Sequence, residues 1–316
     1  MRQAFRHKDE DKTAAMAENS KLAVVTFDLE KVLVTPCTRV SNMYYRRKLS
    51  TYNLTVWDLA TKKVNCYMWH EGIGKKGSAE SATCLWLFLK SLPADTERVI
   101  FYSDTAGGQN RNQAVTAMFM HFLANTETRL TVIDQKFMES GHSMMECDSA
   151  HAAVEKMAKT CDEIYTPADW FTLVRACRPK QPFKVIEMQL KDWLDFPAIA
   201  EAYLKNRNTA EDGSQVNWLQ IKWLRVEKKD LTAFYVKEQL DDADFRRVPV
   251  SKRQRRSHVS LAELQVEEKY GAPISVPRAK LDDIFALFSK KLIPEDRRAF
   301  YDSLVANADS DSDSGD

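Results

Sequence analysis

The sequence feature that most constrains the fold is a short apolar run that ends in an acidic residue and leads, through two glycines, into an amphipathic helix. The run covers residues 99–102, the acid is Asp104, and Gly107 and Gly108 follow. A near-continuous apolar run is typical of a buried parallel strand. Open α/β sheets bind ligands beyond the carboxyl ends of such strands. We therefore predict a strand–turn–helix unit of an α/β protein with a ligand site at its turn.

The turn itself carries side chains that suit a phosphate. Gln109, Asn110 and Arg111 stand where the helix begins, and the free amides of a helix start favour phosphate. Arginine is also suited to bidentate phosphate contact. A tight turn with amide capping is the plainer interpretation, but the position directly after Asp104 favours the phosphate. We predict that these three residues contact the backbone of a nucleic-acid substrate.

Apolar periodicity divides the first half of the chain into strands and helices. Three predicted strands joined by short polar connections suit an antiparallel meander. Helices and strands then alternate, which gives the order β-β-β-α-β-α-β-α. The predicted strands lie at residues 22–27, 44–59, 62–71, 99–102 and 130–133, and the predicted helices begin near residues 78, 112 and 147.

Composition predicts three further regions around this core of residues 21–178. Residues 1–20 alternate charges with small polar residues and are predicted to be a disordered lead-in. Residues 179–305 change character and are predicted to form a small α+β appendage. Residues 306–316 contain the alternation of aspartate and serine at 309–314, which predicts a disordered acidic tail.

Composition also bounds the function. With 316 residues, of which 44% are hydrophobic and 29% charged, the chain is of the ordinary globular kind. It has neither an apolar run of membrane-spanning length nor a signal-peptide pattern, so no membrane partner is expected. Six scattered cysteines without a C-x-x-C pair favour reduced thiols, and hence an intracellular protein of the nucleus or cytoplasm.

The charge balance restricts any basic surface to a local one. The formal net charge is +1, which excludes a chain that binds nucleic acid as an overall polycation. The strongest local run predicts phosphate contacts, with a solvated loop or a nuclear localisation signal as the alternatives. Its basic residues are Lys252, Arg253, Arg255 and Arg256.

Two aspartates at predicted strand ends suggest a metal site. Asp28 ends the first predicted strand and Asp104 ends the fourth. If these strands are neighbours, the carboxylates lie about 4.8 Å apart and repel each other unless a cation lies between them. Carboxylate ligands with water select Mg²⁺ or Mn²⁺, and such ions support phosphoryl transfer. The plainer interpretation is a pair of aspartates that bond turn amides.

The third metal ligand could be either of two acids on one helix. Asp148, His151 and Glu155 share a helix face, and Asp148 is also a natural helix cap. His142 is predicted to act beside the metal or to transfer a proton. A zinc site of histidines and Asp148 is disfavoured, because no cysteine or third histidine completes it. The predicted catalytic residues are Asp28, Asp104, Asp148, Glu155 and His142, and the predicted metal ligands are Asp28, Asp104 and Asp148.

Several ordered motifs together resemble a transposon-derived animal family whose conserved region is a domain of unknown function. The resemblance covers about residues 21–305. The motifs are Thr26-Phe27-Asp28-Leu29-Glu30-Lys31-Val32-Leu33, Leu49-x-x-Tyr52-Asn53-Leu54, Met68-Trp69-His70-Glu71, Tyr102-Ser103-Asp104-x-x-Gly107-Gly108-Gln109-Asn110-Arg111-Asn112 and Gly141-His142-Ser143-x4-Asp148-Ser149.

The resemblance implies an RNase H-like fold, a mixed five-stranded sheet whose fourth strand lies beside and parallel to the first. Transposases, integrases and nucleases of this superfamily hold metal with an acidic triad, which here maps onto Asp28, Asp104 and Asp148. Many members use glutamate in third place, so Glu155 stays the alternative. Members of the family often carry a longer, cysteine-containing amino-terminal region that this sequence lacks, which implies a fragment or a domesticated remnant.

The expected function is therefore Mg²⁺- or Mn²⁺-dependent phosphoryl transfer on nucleic acid, by a transposase-like nuclease domain. DNA is favoured over RNA as the partner, and a homo-oligomer is left open. The alternative is a domesticated, catalytically inactive RNase H-like module that binds nucleic acid or protein.

Overall fold

The computed structural model describes residues 2–38, 45–105, 111–138, 145–161, 163–251 and 260–307. These residues form a mixed α/β architecture in which strands build one sheet and helices lie on both of its faces. None of the described helices combines the length and the apolar character needed to cross a bilayer.

The strands are, in chain order, β1 (Leu22–Leu29), β2 (Leu33–Thr35), β3 (Leu49–Asp58), β4 (Val64–His70), β5 (Arg98–Ser103), β6 (Val132–Phe137), β7 (Lys184–Glu187), β8 (Trp223–Glu227), β9 (Asp230–Lys237) and β10 (Arg246–Pro249). The helices are α1 (Arg2–Ala15), α2 (Ser78–Lys90), α3 (Gln113–Asn125), α4 (Glu146–Ala158), α5 (Pro167–Ala176), α6 (Phe196–Tyr203), α7 (Arg278–Ser289) and α8 (Arg298–Asp302).

The centre of the sheet has the order β4-β3-β1-β5-β6. Strand β3 pairs antiparallel with both β1 and β4, which agrees with the predicted meander. Strands β1 and β5 are parallel neighbours, as predicted for the first and fourth strands, and β5 is parallel to β6. The short strand β2, which pairs with β3, was not predicted.

The sheet is wider than the predicted five strands. Strand β8 pairs antiparallel with β6, and β9 and β10 follow it outward, while β7 adds to β4 at the opposite edge. Strands of the predicted appendage thus continue the main sheet, and no break in the sheet falls at residue 178. The physical reason is that an exposed strand edge carries unpaired backbone groups, which a further strand satisfies.

Residues 1–20 were predicted to be a disordered lead-in, but most of them form helix α1. Ala4 and Ala15 pack in one apolar cluster with Val24, Ile100 and Tyr102 of the sheet. The charges that suggested disorder have partners in the fold. Asp11 accepts hydrogen bonds from Tyr102 and from the ammonium group of Lys136, a side chain only 1% exposed.

Strand alternation assigns the two faces of the sheet. Phe27 and Phe101 lie in the main core, which α2, α3 and α6 cover. Val24 and Ile100 point to the opposite face, where α1 packs, and α4 contacts that face through Thr26. Because Asp28 and Asp104 continue the even-numbered series of their strands, both belong to the face of α1 and α4.

Candidate metal centre

Asp28 in β1 and Asp104 directly after β5 lie at the carboxyl ends of two parallel strands. The register pairs Thr26 of β1 with Tyr102 of β5, and Asp28 and Asp104 each follow two residues later in the chain. The charge of Asp104 raises the pKa of Asp28, so the two carboxyl groups interact electrostatically across the strands. This is the neighbour relationship on which the predicted metal site depends.

Helix α4 brings two more polar side chains to Asp28. One oxygen each from Asp28 and Asp148 and one nitrogen of His151 all lie within 4.8 Å of one another. The separation between Asp28 Oδ2 and His151 Nδ1 is 4.0 Å. Asp104 is not a member of this close group and acts on it through its charge. We call Asp28, Asp104, Asp148 and His151 the acidic cluster.

Asp148 combines a capping contact with its place in the cluster. The backbone amide of Met145 donates a 2.8 Å hydrogen bond to Asp148 Oδ2 at the start of α4, so the plainer interpretation of Asp148 as a capping residue describes a real contact. A carboxylate has two oxygens and several lone-pair sites. Capping therefore fixes this side chain without using all of its capacity as a ligand.

His151 is held in its place by the sheet. Its Nε2 lies 3.1 Å from Thr55 Oγ1, and Thr55 is the register partner of Asp28 on β3. Burial lowers the pKa of His151 to about 4, against the opposing effect of the Asp148 charge. The imidazole is therefore neutral at pH 7, which is the form that can ligate a metal. Sequence reasoning had placed His151 on this helix face but had not selected it as a ligand.

The electrostatics of Asp28 reflect crowding by like charges. Burial is the largest cause that raises the pKa of Asp28 to about 7, and the charges of Asp104 and Asp148 add to it. Within the described ranges, neither Asp28 nor Asp148 forms an ion pair with a lysine or arginine. A bound divalent cation relieves the repulsion between crowded carboxylates. The donor set of carboxylate oxygens and one imidazole nitrogen fits such an ion.

Glu30 is a buried acid that sequence reasoning missed. Its side chain is 3% exposed, and burial raises its pKa to about 8, with further increases from the charges of Glu155 and Asp28. Asn53 Nδ2 donates a 2.8 Å hydrogen bond to Glu30 Oε2. In the described part of the chain, Glu30 Oε1 and Asn53 Oδ1 have no hydrogen-bond partner. The available signal was strand alternation, because Glu30 follows Asp28 at i+2.

Glu155, the alternative third ligand, does not join the close group. It is exposed on α4, and its described effect is electrostatic, on Glu30. Asp148 is the helix acid that reaches Asp28. Which of the two acids ligates a metal stays a prediction, and the geometry favours Asp148.

Arg111 is the one predicted nucleic-acid contact within the described ranges, and it is buried. Its Nη1 donates to the carbonyl of Leu219, and its guanidinium carbon lies 4.7 Å from the centre of the Phe137 ring. The charge of Asp104 acts on it. The other predicted residues lie outside the described ranges: Gln109, Asn110, His142, Lys252, Arg253, Arg255 and Arg256.

Together the fold and the acidic cluster define a mixed α/β protein with carboxylates and an imidazole gathered at the end of a parallel strand pair. No protein-family model matches the chain, and neither a curated protein nor a solved structure does.

Proposed function

We propose that the protein is a divalent-metal-dependent phosphoryl-transfer enzyme that acts on nucleic acid, with DNA as the favoured substrate. The observation that carries this proposal is the close group of Asp28, Asp148 and His151, on which the charge of Asp104 acts. In the described ranges neither Asp28 nor Asp148 is paired with a lysine or arginine. The order β4-β3-β1-β5-β6 supports it, because this is the order expected of an RNase H-like core.

Asp28, Asp104 and Asp148 would hold Mg²⁺ or Mn²⁺, with the His151 nitrogen as a neighbouring donor. A divalent ion bound here supplies Lewis-acid chemistry, which polarises a phosphoryl oxygen and acidifies a water molecule. Two ions would suit an in-line displacement at a phosphodiester.

Hydrogen bonds from other residues hold the side chains of the cluster in orientations that suit metal binding. The Met145 amide orients Asp148, and Thr55 orients the neutral ring of His151. Such supporting hydrogen bonds set both the direction and the basicity of a ligand. Asp28 must release its proton before it can ligate, and its raised pKa places that event near neutral pH.

The test is Mn²⁺ titration by calorimetry, followed by cleavage assays on single- and double-stranded DNA. The variants are Asp28→Asn and Asp104→Asn, and the control is Asp282→Asn, an exposed acid on α7. We expect the first two to bind Mn²⁺ at least about tenfold more weakly than the parent protein, and the control to match the parent. A parent protein that binds no better than the two asparagine variants overturns the proposal.

The cleavage assay separates the enzyme from the inactive module that the sequence left as an alternative. Mn²⁺-dependent strand cleavage that is lost in Asp28→Asn supports the enzyme. Metal binding without cleavage of either DNA form supports the inactive module.

A further inference from the structure

A second candidate site lies where three helices begin. A cavity of about 530 Å³ opens between the start of α2 at Ser78, the start of α3 at Gln113 and the start of α6 at Pro197. Two arginines, Arg111 and Arg207, line it, and its described lining contains no acidic residue. We call it the helix-start cavity.

The start of α3 favours an anion, whereas Glu80 lies in the first turn of α2 and Asp195 caps α6. The positive end of the helix dipole and the unpaired amides of the first turn both favour anions. In α3 the side chain of Asn112 accepts a 3.0 Å hydrogen bond from the Val115 amide. The amides of Gln113 and Ala114, which precede Val115 and belong to residues that line the cavity, are those that an anion would meet.

Arg111 gives an independent indication of a ligand. Its side chain is only 6% exposed, yet its Nε and Nη2 have no hydrogen-bond partner among the described residues. Leaving buried donors of a charged group unpaired is costly in free energy. The guanidinium group also lies over the Phe137 ring. The unpaired donors of a residue that lines the cavity therefore indicate an anionic partner.

Arg207 and Trp218 also line the cavity. Arg207 is exposed, donates a 3.0 Å hydrogen bond to Gln113 Oε1 and forms no ion pair within the described ranges. The indole nitrogen of Trp218 donates a 2.7 Å hydrogen bond to the carbonyl of Arg207, and its ring packs against Phe234. A half-buried indole beside a pair of arginines is the surface on which a nucleic-acid base stacks.

We propose that the helix-start cavity binds a phosphate group of a nucleic-acid strand, with Arg111, Arg207 and the α3 amides on the phosphate and Trp218 against the adjacent base. The charge of Asp104, a member of the acidic cluster, acts on Arg111. The identity of the ligand as nucleic acid rests on the proposed function, whereas the anion affinity of the cavity does not.

The test uses a fluorescein-labelled single-stranded DNA of about 12 nucleotides and fluorescence anisotropy in EDTA, so that no metal contributes. The variant is Arg207→Ala, which removes an exposed side chain. The matched control is Arg129→Ala, an exposed arginine beyond the carboxyl-terminal end of α3. We expect Arg207→Ala to raise Kd about tenfold and to reduce the slope of log K against log salt by about 0.7. Arg129→Ala should do neither.

Two further measurements test the contribution of Arg111 and the chemical identity of the ligand. Arg111→Lys, which keeps the charge but loses the guanidinium donors, should also weaken binding, with folding checked by circular dichroism. Equal effects of Arg207→Ala and Arg129→Ala, or no binding by the parent protein, overturn the proposal. Arg207-dependent binding of inorganic phosphate without binding of the oligonucleotide identifies a free anion as the ligand and overturns it as well.

The outcomes also distinguish this proposal from the proposed function. Oligonucleotide binding in EDTA by a protein that binds no Mn²⁺ refutes the metal-dependent enzyme and leaves the cavity. Mn²⁺ binding by a protein whose oligonucleotide affinity is the same in Arg207→Ala refutes the cavity alone.

Discussion

Asp28 and His151 face each other at 4.0 Å between Oδ2 and Nδ1, and the structure shifts their pKa values in opposite directions. The pKa of Asp28 rises to about 7 and that of His151 falls to about 4. Burial is the largest cause of both shifts, because it disfavours the charged form of an acid and of a base alike. At neutral pH the contact is therefore no salt bridge, and the imidazole stays neutral beside a carboxyl group that is close to its titration midpoint.

Mn²⁺ affinity should increase with pH through this midpoint. Asp28 must lose its proton to ligate, so below a pH of about 7 metal competes with a proton for the same oxygens. We expect the apparent affinity to rise between pH 6 and 8 by about tenfold per pH unit at most, and binding to release protons. Calorimetry in two buffers of different ionisation enthalpy measures this release. Affinity that is flat across this range, with no proton release, contradicts the assignment of Asp28.

Without metal, Asp28→Asn should stabilise the protein above neutral pH. Burial and neighbouring charges raise the folded-state pKa of Asp28 from its ordinary value of 3.8 to about 7, so between these values the folded state holds a proton that the unfolded state has released. The contribution of Asp28 to stability therefore falls as pH rises through this window. We expect roughly 1–3 kcal/mol more stability in Asp28→Asn at pH 8, measured by urea unfolding in EDTA. Saturating Mn²⁺ should make the parent protein the more stable of the two. A variant that is less stable than the parent in EDTA would contradict charge repulsion among the carboxylates at this edge.

Glu30→Gln tests the second buried acid. The pKa of Glu30 is raised to about 8, so its contribution to stability also falls as pH rises, here between about 4.5 and 8. Glutamine keeps a carbonyl oxygen for the Asn53 donor and removes the charge. We expect stabilisation of roughly 1 kcal/mol or more at pH 9 and a smaller effect at pH 5. The control Glu155→Gln, on the exposed face of α4, should change stability by less than about 0.5 kcal/mol. If Glu30→Gln changed the free energy of unfolding equally at pH 5 and pH 9, the carboxylate charge of Glu30 would not destabilise the folded state.

Asp11→Asn tests the docking of α1. Lys136 is 1% exposed, and its ammonium group is paired with Asp11 while it lies 3.9 Å from the centre of the Trp223 ring. Removing one partner of a buried pair leaves an uncompensated charge, which costs about 3 kcal/mol or more. Asp9→Asn, on an exposed position of the same helix, is the matched control and should cost little. Similar unfolding midpoints for both variants would contradict a structural role for the Asp11 contact.

The strands that carry the site could be predicted from sequence because their signal is local. Apolar runs before Asp28 and Asp104 marked β1 and β5, and strand polarity placed both acids at the carboxyl ends. The third acid could be narrowed to Asp148 or Glu155, because helical periodicity puts both on one face. Only the packing of α4 on β1 and β3 decides which of the two reaches Asp28.

The remaining features depend on partners that are distant in the chain. Strand β8 joins β6 through backbone pairing of Val132 with Glu227, and no side-chain pattern encodes that partner. The charges of α1 predicted disorder because the buried partner of Asp11 is Lys136, which lies far along the chain and cannot be inferred from the local sequence. The contact of His151 with Thr55 crosses from α4 to the sheet, and spacing on one helix cannot reveal it.

The most direct measurement of the central claim is anomalous diffraction from crystals of the full chain soaked in Mn²⁺. We expect a peak about 2.2 Å from carboxylate oxygens of Asp28 and Asp148, with Asp104 turned toward it, and no such peak in Asp28→Asn. A lysine or arginine nitrogen between these carboxylates, or a peak only elsewhere on the molecule, would contradict it.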